Sequence, residues 1–150
     1  MWYNYDKTLK IDVLGFLELY LAKLYRLNIS VIYENELFDC EAKTYLNKKY
    51  IYIREYVYYN ASKVDPRSRH TLMHEAGHLF IHTEGSYKRV DNNYIIPKYE
   101  DPEWQASVFA GEFLAPSCLI GNRTVEEIME DFGVSRSCAE IQYKNKSIRN

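Results

Sequence analysis

Five consecutive residues, His74-Glu75-Ala76-Gly77-His78, constrain this chain more than any other feature. The pattern His-Glu-x-x-His carries meaning only on a helix, where positions four apart project from one face. With 4 histidines in 150 residues, chance yields only ~0.01 such matches in a chain of this composition, so the pattern is not treated as accidental. The flanking residues supply the helix. Asp65-Pro66 reads as an N-cap followed by proline at the first helical position, and Gly85 reads as a stop. The spacing therefore predicts a helix from Asp65 to about His82. On it, His74 and His78 can grip one ion, and neutral imidazole is a good zinc ligand. Glu75 is turned about 100° around the axis, so it flanks the ion instead of binding it. From there its carboxylate can take a proton from a water acidified by the metal. Gly77 leaves room for another backbone or a substrate to come close.

The same helix-start signal returns at Asp101-Pro102, opening a helix to about Leu114 that Pro116 ends. Before the motif, residues 8–27 read as one amphipathic helix with Leu9, Val13, Phe16, Leu17, Leu21 and Leu24 at spacings of three and four, and Asn28 as its stop. Ile29 to Tyr33 reads as a short strand. Glu41 to Leu46 and Tyr50 to Tyr59 are rich in tyrosine and β-branched residues, with a turn at Asn47-Lys48-Lys49. Residues 83–99 read as a polar loop. Thr124 and Glu127 form a capping-box pattern that opens a short helix through Val125, Ile128 and Met129, closed by Gly133; Ser135 then caps a last helix. The expected architecture is α+β: a small, mainly antiparallel three-stranded sheet packed with an N-terminal helix, the metal helix, a second ligand helix and a short C-terminal helical pair. Residues 1–150 are expected to form a single domain, with the pair at about 124–146 as an appendage.

Composition narrows the function classes. Lys plus Arg is 19 and Asp plus Glu is 21, a net charge of −2, which does not suit a basic nucleic-acid binder. The 124–145 helical pair has helix-turn-helix shape, but Arg123 to Asn150 holds five basic and five acidic residues, a poor match for phosphate. Lys10, Asp12, Glu18, Lys23 and Arg26 interrupt the first apolar stretch, so it is expected neither to span a membrane nor to act as a leader. Cys40, Cys118 and Cys138 are odd in number and widely spaced, which argues against disulfides and for a reducing cytoplasm.

Two histidines leave a zinc site one protein ligand short. Glu84 stands where a histidine six residues after His78 would be required, which removes that arrangement. His82 continues the same straight stripe and is better placed for a supporting or surface role. Glu103, in the first turn of the second helix, shares a face with Ala106 and Ala110, whose small side chains let the two helices pack closely. Glu100 and Glu112 are its rivals, although Glu112 lies about 180° from Glu103 on a regular helix.

These segments together resemble a known family. Arg69-His70-Thr71-Leu72-Met73-His74-Glu75-Ala76-Gly77-His78-Leu79-Phe80-Ile81-His82 is similar to the metal helix of the ImmA/IrrE metallopeptidases. Glu103-Trp104-Gln105-Ala106-Ser107-Val108-Phe109-Ala110, with Leu114 and Pro116, resembles that family's second signature, and Phe132-Gly133-Val134-Ser135 its C-terminal helical segment. The likeness covers roughly residues 65–145. Departures are Ser107 in place of the usual Asn or Asp, His70 in place of an aromatic, and Glu112, Phe113 and Ala115 within the usual apolar run.

The resemblance implies a zincin-like fold with one zinc on His74, His78 and Glu103, and Glu75 as general base. It implies a cytoplasmic metalloendopeptidase that cleaves or counteracts a helix-turn-helix repressor of a phage or mobile element, with that repressor a separate protein. The alternatives from other classes are a non-catalytic metal-holding regulator that sequesters its repressor, and a helix-turn-helix-like DNA-binding protein. His82, Tyr94 and Tyr99 are candidates to stabilise the oxyanion, and Arg69 is expected to form a structural ion pair.

Overall fold

The computed structural model describes residues 9–33, 39–82 and 97–146. The described residues form an α+β fold of six helices and one three-stranded sheet. Helix α1 is continuous through Val13–Gly15, Phe16–Leu21 and Ala22–Tyr25. It starts later than the expected residue 8 because Asp12 is its cap, accepting from Gly15 N–H at 3.0 Å. Its middle segment is π-helical: Ala22 N–H donates to Leu17 O, five residues back. Val13, Leu17 and Leu21 face the core. The widened turn rotates the last helical turn about the axis, and Leu24, expected on the buried stripe, is 59% exposed.

Strands β1 (Asn28–Ile32), β2 (Ala42–Tyr45) and β3 (Tyr50–Arg54) come next in the chain. The order is β1-β3-β2. β2 and β3 form the expected antiparallel hairpin around residues 46–49, with Thr44 opposite Ile51. β1 runs parallel to β3, with Ile29 opposite Ile51, so the sheet is mixed where a mainly antiparallel one was expected. Ile51 and Ile53 alternate into the core while Tyr50 and Tyr52 lie on the other face, their rings 5.7 Å apart.

The strand expected over Tyr50 to Tyr59 ends at Arg54, and Glu55–Ser62 is a helix, α2. Tyrosines favour a strand there, but Val57 and Ala61 are one helical turn apart and both are buried. Tertiary burial therefore overrides local propensity.

Helix α3 (Pro66–Ile81) is built as the sequence indicates: Asp65 Oδ2 accepts from Ser68 N–H at 2.8 Å and Pro66 occupies the first turn. The expected stop at Gly85 and the loop from 83 to 96 lie outside the described residues. Lys98–Glu100 is a single 3₁₀ turn, and α4 (Pro102–Leu114) opens with Asp101 Oδ1 accepting from Glu103 N–H at 3.0 Å. A second 3₁₀ turn, Ser117–Leu119, leads to α5 (Val125–Phe132). The capping box forms in both directions, with Glu127 N–H donating to Thr124 Oγ1 at 3.2 Å and Thr124 N–H to Glu127 Oε2 at 2.8 Å. Gly133 ends α5 at φ 63°, a left-handed conformation that glycine adopts without penalty. In α6 (Arg136–Lys146), Cys138 and Ala139 are buried with Ile128, Phe132 and Val134 of the preceding segment in the core shared by α3 and α4.

Arg69 is buried and ties this core together, though not through the expected ion pair. Its Nη1 donates to Ile11 O at 2.9 Å and its Nη2 to Phe132 O at 3.2 Å, linking the residue before the α1 cap to the end of α5. Two carbonyls without intrahelical partners thereby gain donors.

Helices α3 and α4 meet at glycine and alanine. A Cβ on Gly77 would stand 3.1 Å from Phe109 Cδ1 and 3.2 Å from the Ala106 Cα. The alanine backbone cannot move aside as a flexible side-chain tip could. Gly77→Val is therefore expected to destabilise the fold by about 1–3 kcal/mol, read from the urea midpoint; unchanged stability would mean the helices can separate at no cost.

Burial pushes the Cys138 thiol up to about 11, and the nearby Glu112 carboxylate acts in the same direction. Only the thiolate alkylates. At pH 8 the folded protein is expected to be modified at exposed Cys118 and spared at Cys138. Cys138 becomes reactive as the pH approaches 11 or on unfolding, which mass mapping of alkylated peptides checks.

Candidate metal centre

The backbone of α3 presents His74 and His78 toward α4, beside the core residues Leu72, Met73 and Ala76. Because Gly77 and Ala106 bring the helix backbones close, short side chains can bridge the gap. Glu103, in the first turn of α4, reaches across: its Oε2 is 3.0 Å from His74 Nε2 and its Oε1 is 3.6 Å from His78 Nε2. The two imidazole nitrogens are 3.2 Å apart. One donor atom from each of the three residues thus lies within 4.8 Å of the others.

The donor set can be tested against a metal. Ligands about 2.0–2.2 Å from zinc at tetrahedral angles sit about 3.3–3.6 Å from one another. The observed separations, 3.0 Å to one Glu103 oxygen, 3.6 Å to the other and 3.2 Å between the imidazole nitrogens, lie at or slightly below that edge. Two imidazoles and one carboxylate are also the donor types that suit zinc and related divalent ions. The residues present fit such an ion, and the carboxylate is 65% exposed, so the centre opens on the surface.

Each imidazole is held from behind. His74 Nδ1 is 3.1 Å from Ser107 Oγ, which directs Nε2 into the centre. His78 Nδ1 is 3.0 Å from His82 Nδ1, which does the same for its ring. Burial holds His78 below the ordinary histidine range, against the pull of the Glu103 carboxylate, favouring the neutral ring that binds metal. Burial likewise lowers His70, one turn earlier on α3.

Glu75 occupies the adjacent face of α3, toward β2. Thr44 of that strand donates its hydroxyl to the Glu75 carbonyl at 3.1 Å. Burial raises the Glu75 carboxyl above the usual carboxylate range, while hydrogen bonding to Thr44 and the neighbouring His74 pull it down. A carboxylate tuned upward next to a metal-sized cluster has the proton affinity a general base needs.

The other sequence candidates are placed elsewhere. Glu112 caps the far end of α4, accepting from Ser117 N–H at 3.1 Å and Ser117 Oγ at 2.7 Å. Glu100 lies in the 3₁₀ turn and does not join the three-residue cluster. His82 is buried behind His78, on the side away from Glu103, so it is not positioned for an oxyanion. Tyr99 is exposed, and Tyr94 lies outside the described residues.

Three residues at the centre escaped the sequence reading. Ser107 stands four residues after Glu103, and that helical spacing could have placed it opposite a histidine. Gln105 and Thr44 carry no such signal, because their roles depend on which elements meet.

The sequence model of a peptidase family described as the IrrE N-terminal-like domain matches residues 25–143. That span includes all three strands as well as the two helices of the centre. No curated protein and no solved structure gives a significant match. A match over most of the chain, together with the His74–His78–Glu103 cluster inside it, means that the chain belongs to the ImmA/IrrE family of metallopeptidases.

Proposed function

We propose that this protein is a zinc-dependent endopeptidase that cuts a helix-turn-helix repressor of a phage or mobile element in the cytoplasm. The observation that carries the hydrolase reading is the convergence of His74, His78 and Glu103 on one point beside Glu75. The repressor as substrate rests on the family resemblance. No helix among the described residues is long and apolar enough to cross a membrane.

A zinc ion bound by these three residues would supply Lewis acidity, polarising the scissile carbonyl and acidifying a water. The chain's own residues do the rest. Glu75 accepts the proton of the attacking water as its oxygen bonds to the carbonyl carbon. The same carboxyl then delivers that proton to the amine nitrogen as the C–N bond breaks, so the base returns to its starting form. Ser107 and His82 hold the two imidazoles in place, and the exposed Glu103 edge leaves the centre open to a large substrate. The helix-turn-helix-shaped pair is unsuited to DNA, since α5 exposes Glu126, Glu127 and Glu130.

Purified protein is expected to hold about one zinc per chain, lost on His78→Ala or Glu103→Ala and on chelation, by elemental analysis. Glu75→Gln should keep zinc yet cleave at least about 100-fold more slowly. The assay mixes the zinc protein with the repressor encoded nearest its gene and looks for a new fragment by mass. A repressor that is bound but left whole would replace cleavage by sequestration, and a salt-sensitive DNA gel shift would favour the DNA-binding alternative.

A further inference from the structure

His82 takes no direct part in the proton transfers above, yet it is 6% exposed and held on both ring nitrogens. It sits at the C-cap of α3 with φ −109° and ψ 140°, so its backbone has left the helical path. That departure lets the ring fold back behind His78. Its Nδ1 is 3.0 Å from His78 Nδ1 and its Nε2 is 3.0 Å from Gln105 Oε1. The Gln105 amide in turn donates from Nε2 to the Tyr99 carbonyl at 2.6 Å.

The direction of every proton in this chain of groups is set by its outer end. A backbone carbonyl only accepts, so the Gln105 nitrogen must face Tyr99 and its oxygen must face His82. That oxygen also only accepts, so His82 carries its proton on Nε2. A neutral imidazole has one donor and one acceptor nitrogen, which leaves His82 Nδ1 as acceptor. The proton between the two rings therefore belongs to His78 Nδ1. His78 Nε2 then carries the lone pair, and it is the nitrogen 3.2 Å from His74 Nε2 and 3.6 Å from Glu103 Oε1.

We propose that Gln105 and His82 are positioning residues, a relay anchored on the Tyr99 carbonyl that fixes the His78 tautomer with the Nε2 lone pair turned to the metal centre. The relay joins the two helices of the centre, since His82 ends α3 and Gln105 lies on α4 beside Glu103. It rests on the reading of His78 as a metal ligand, but its logic begins at a carbonyl that no metal touches.

The test compares Gln105→Leu with Gln105→Glu, both at a partly exposed site. Zinc affinity is measured by competition with a chromophoric chelator, and metal-free stability by urea. Gln105→Leu removes the acceptor and is expected to weaken zinc binding about 10-fold or more while the metal-free protein still unfolds as one cooperative, folded species in urea. Gln105→Glu gives up the donor to the Tyr99 carbonyl but still offers only acceptor oxygens to His82, so the His82 proton stays on Nε2, and it is expected to bind within about threefold of the parent. Equal affinity in all three proteins, or equal loss in both variants, would overturn the relay. Nitrogen-15 imidazole spectra of the metal-free parent should show His82 protonated on Nε2; a proton on Nδ1 would overturn it independently. A parent protein that binds no zinc would instead remove the ligand assignment, and the relay's purpose with it.

Discussion

The close approach of α3 and α4 is the constraint on which the rest of the molecule depends. Helices carrying ordinary side chains pack with axes about 8–10 Å apart, and glycine and alanine allow the short end of that range. Gly77 lies almost against the Ala106 backbone, and Ala106 and Ala110 are wholly buried. A glutamate on one helix can therefore reach two histidines on the other without an intervening loop. The core around them makes that distance hard to change. Leu72, Met73 and Ala76 of α3, Leu114 of α4, and Ile128 and Phe132 of α5 are buried in a single cluster. Closely packed interiors resist displacement, so the donor geometry inherits the rigidity of the core.

Buried polar groups extend that rigidity across the fold. Arg69 stands five residues before His74 on the same helix, and its guanidinium joins Ile11 to Phe132. Its Nε is buried with no hydrogen-bond partner among the described residues. An unsatisfied buried donor costs roughly 1–3 kcal/mol, a penalty offset here by two bonds that anchor otherwise unpaired carbonyls. Thr44 makes the corresponding tie between the sheet and α3, at the carbonyl of Glu75 itself. The residue proposed as base is thereby held from the strand side, and the proposed ligands from the α4 side.

What the sequence made legible is what near neighbours in the chain decide. Asp65, Asp101 and the Thr124–Glu127 pair cap their helices where expected, because a cap needs only residues two or three positions away. The three donors come together because helical spacing brings His74 and His78 to one face and the first turn of α4 brings Glu103. What stayed hidden depends on distant partners. The switch from strand to helix after Arg54 is decided by burial of Val57 and Ala61, against the local preference of the tyrosines. The parallel pairing of β1 with β3 is a choice between partners that alternation in either strand leaves open. The π-helical segment of α1 satisfies the same backbone groups as an α-helix would, and Phe16–Leu21 contains no residue that marks it. Gln105 and Thr44 belong to this group as well, since each reaches the centre through a residue more than twenty positions away.

The distribution of charge at the centre ties these pieces to its chemistry. His78 is buried and pushed toward neutrality, while Glu103 is exposed and Glu75 is partly buried between α3 and β2. A divalent cation held at this cluster would meet two carboxylates, Glu103 within it and Glu75 alongside. No further acid is needed, which agrees with Glu112 being committed to Ser117 at the other end of α4. The division of roles between the two acids is set by solvent. The exposed Glu103 is the acid that reaches both imidazoles, whereas desolvation raises the Glu75 carboxyl and makes it the better proton acceptor. The placement of one acid on the open first turn of α4 and the other against the sheet is thus itself a determinant of what the centre can do.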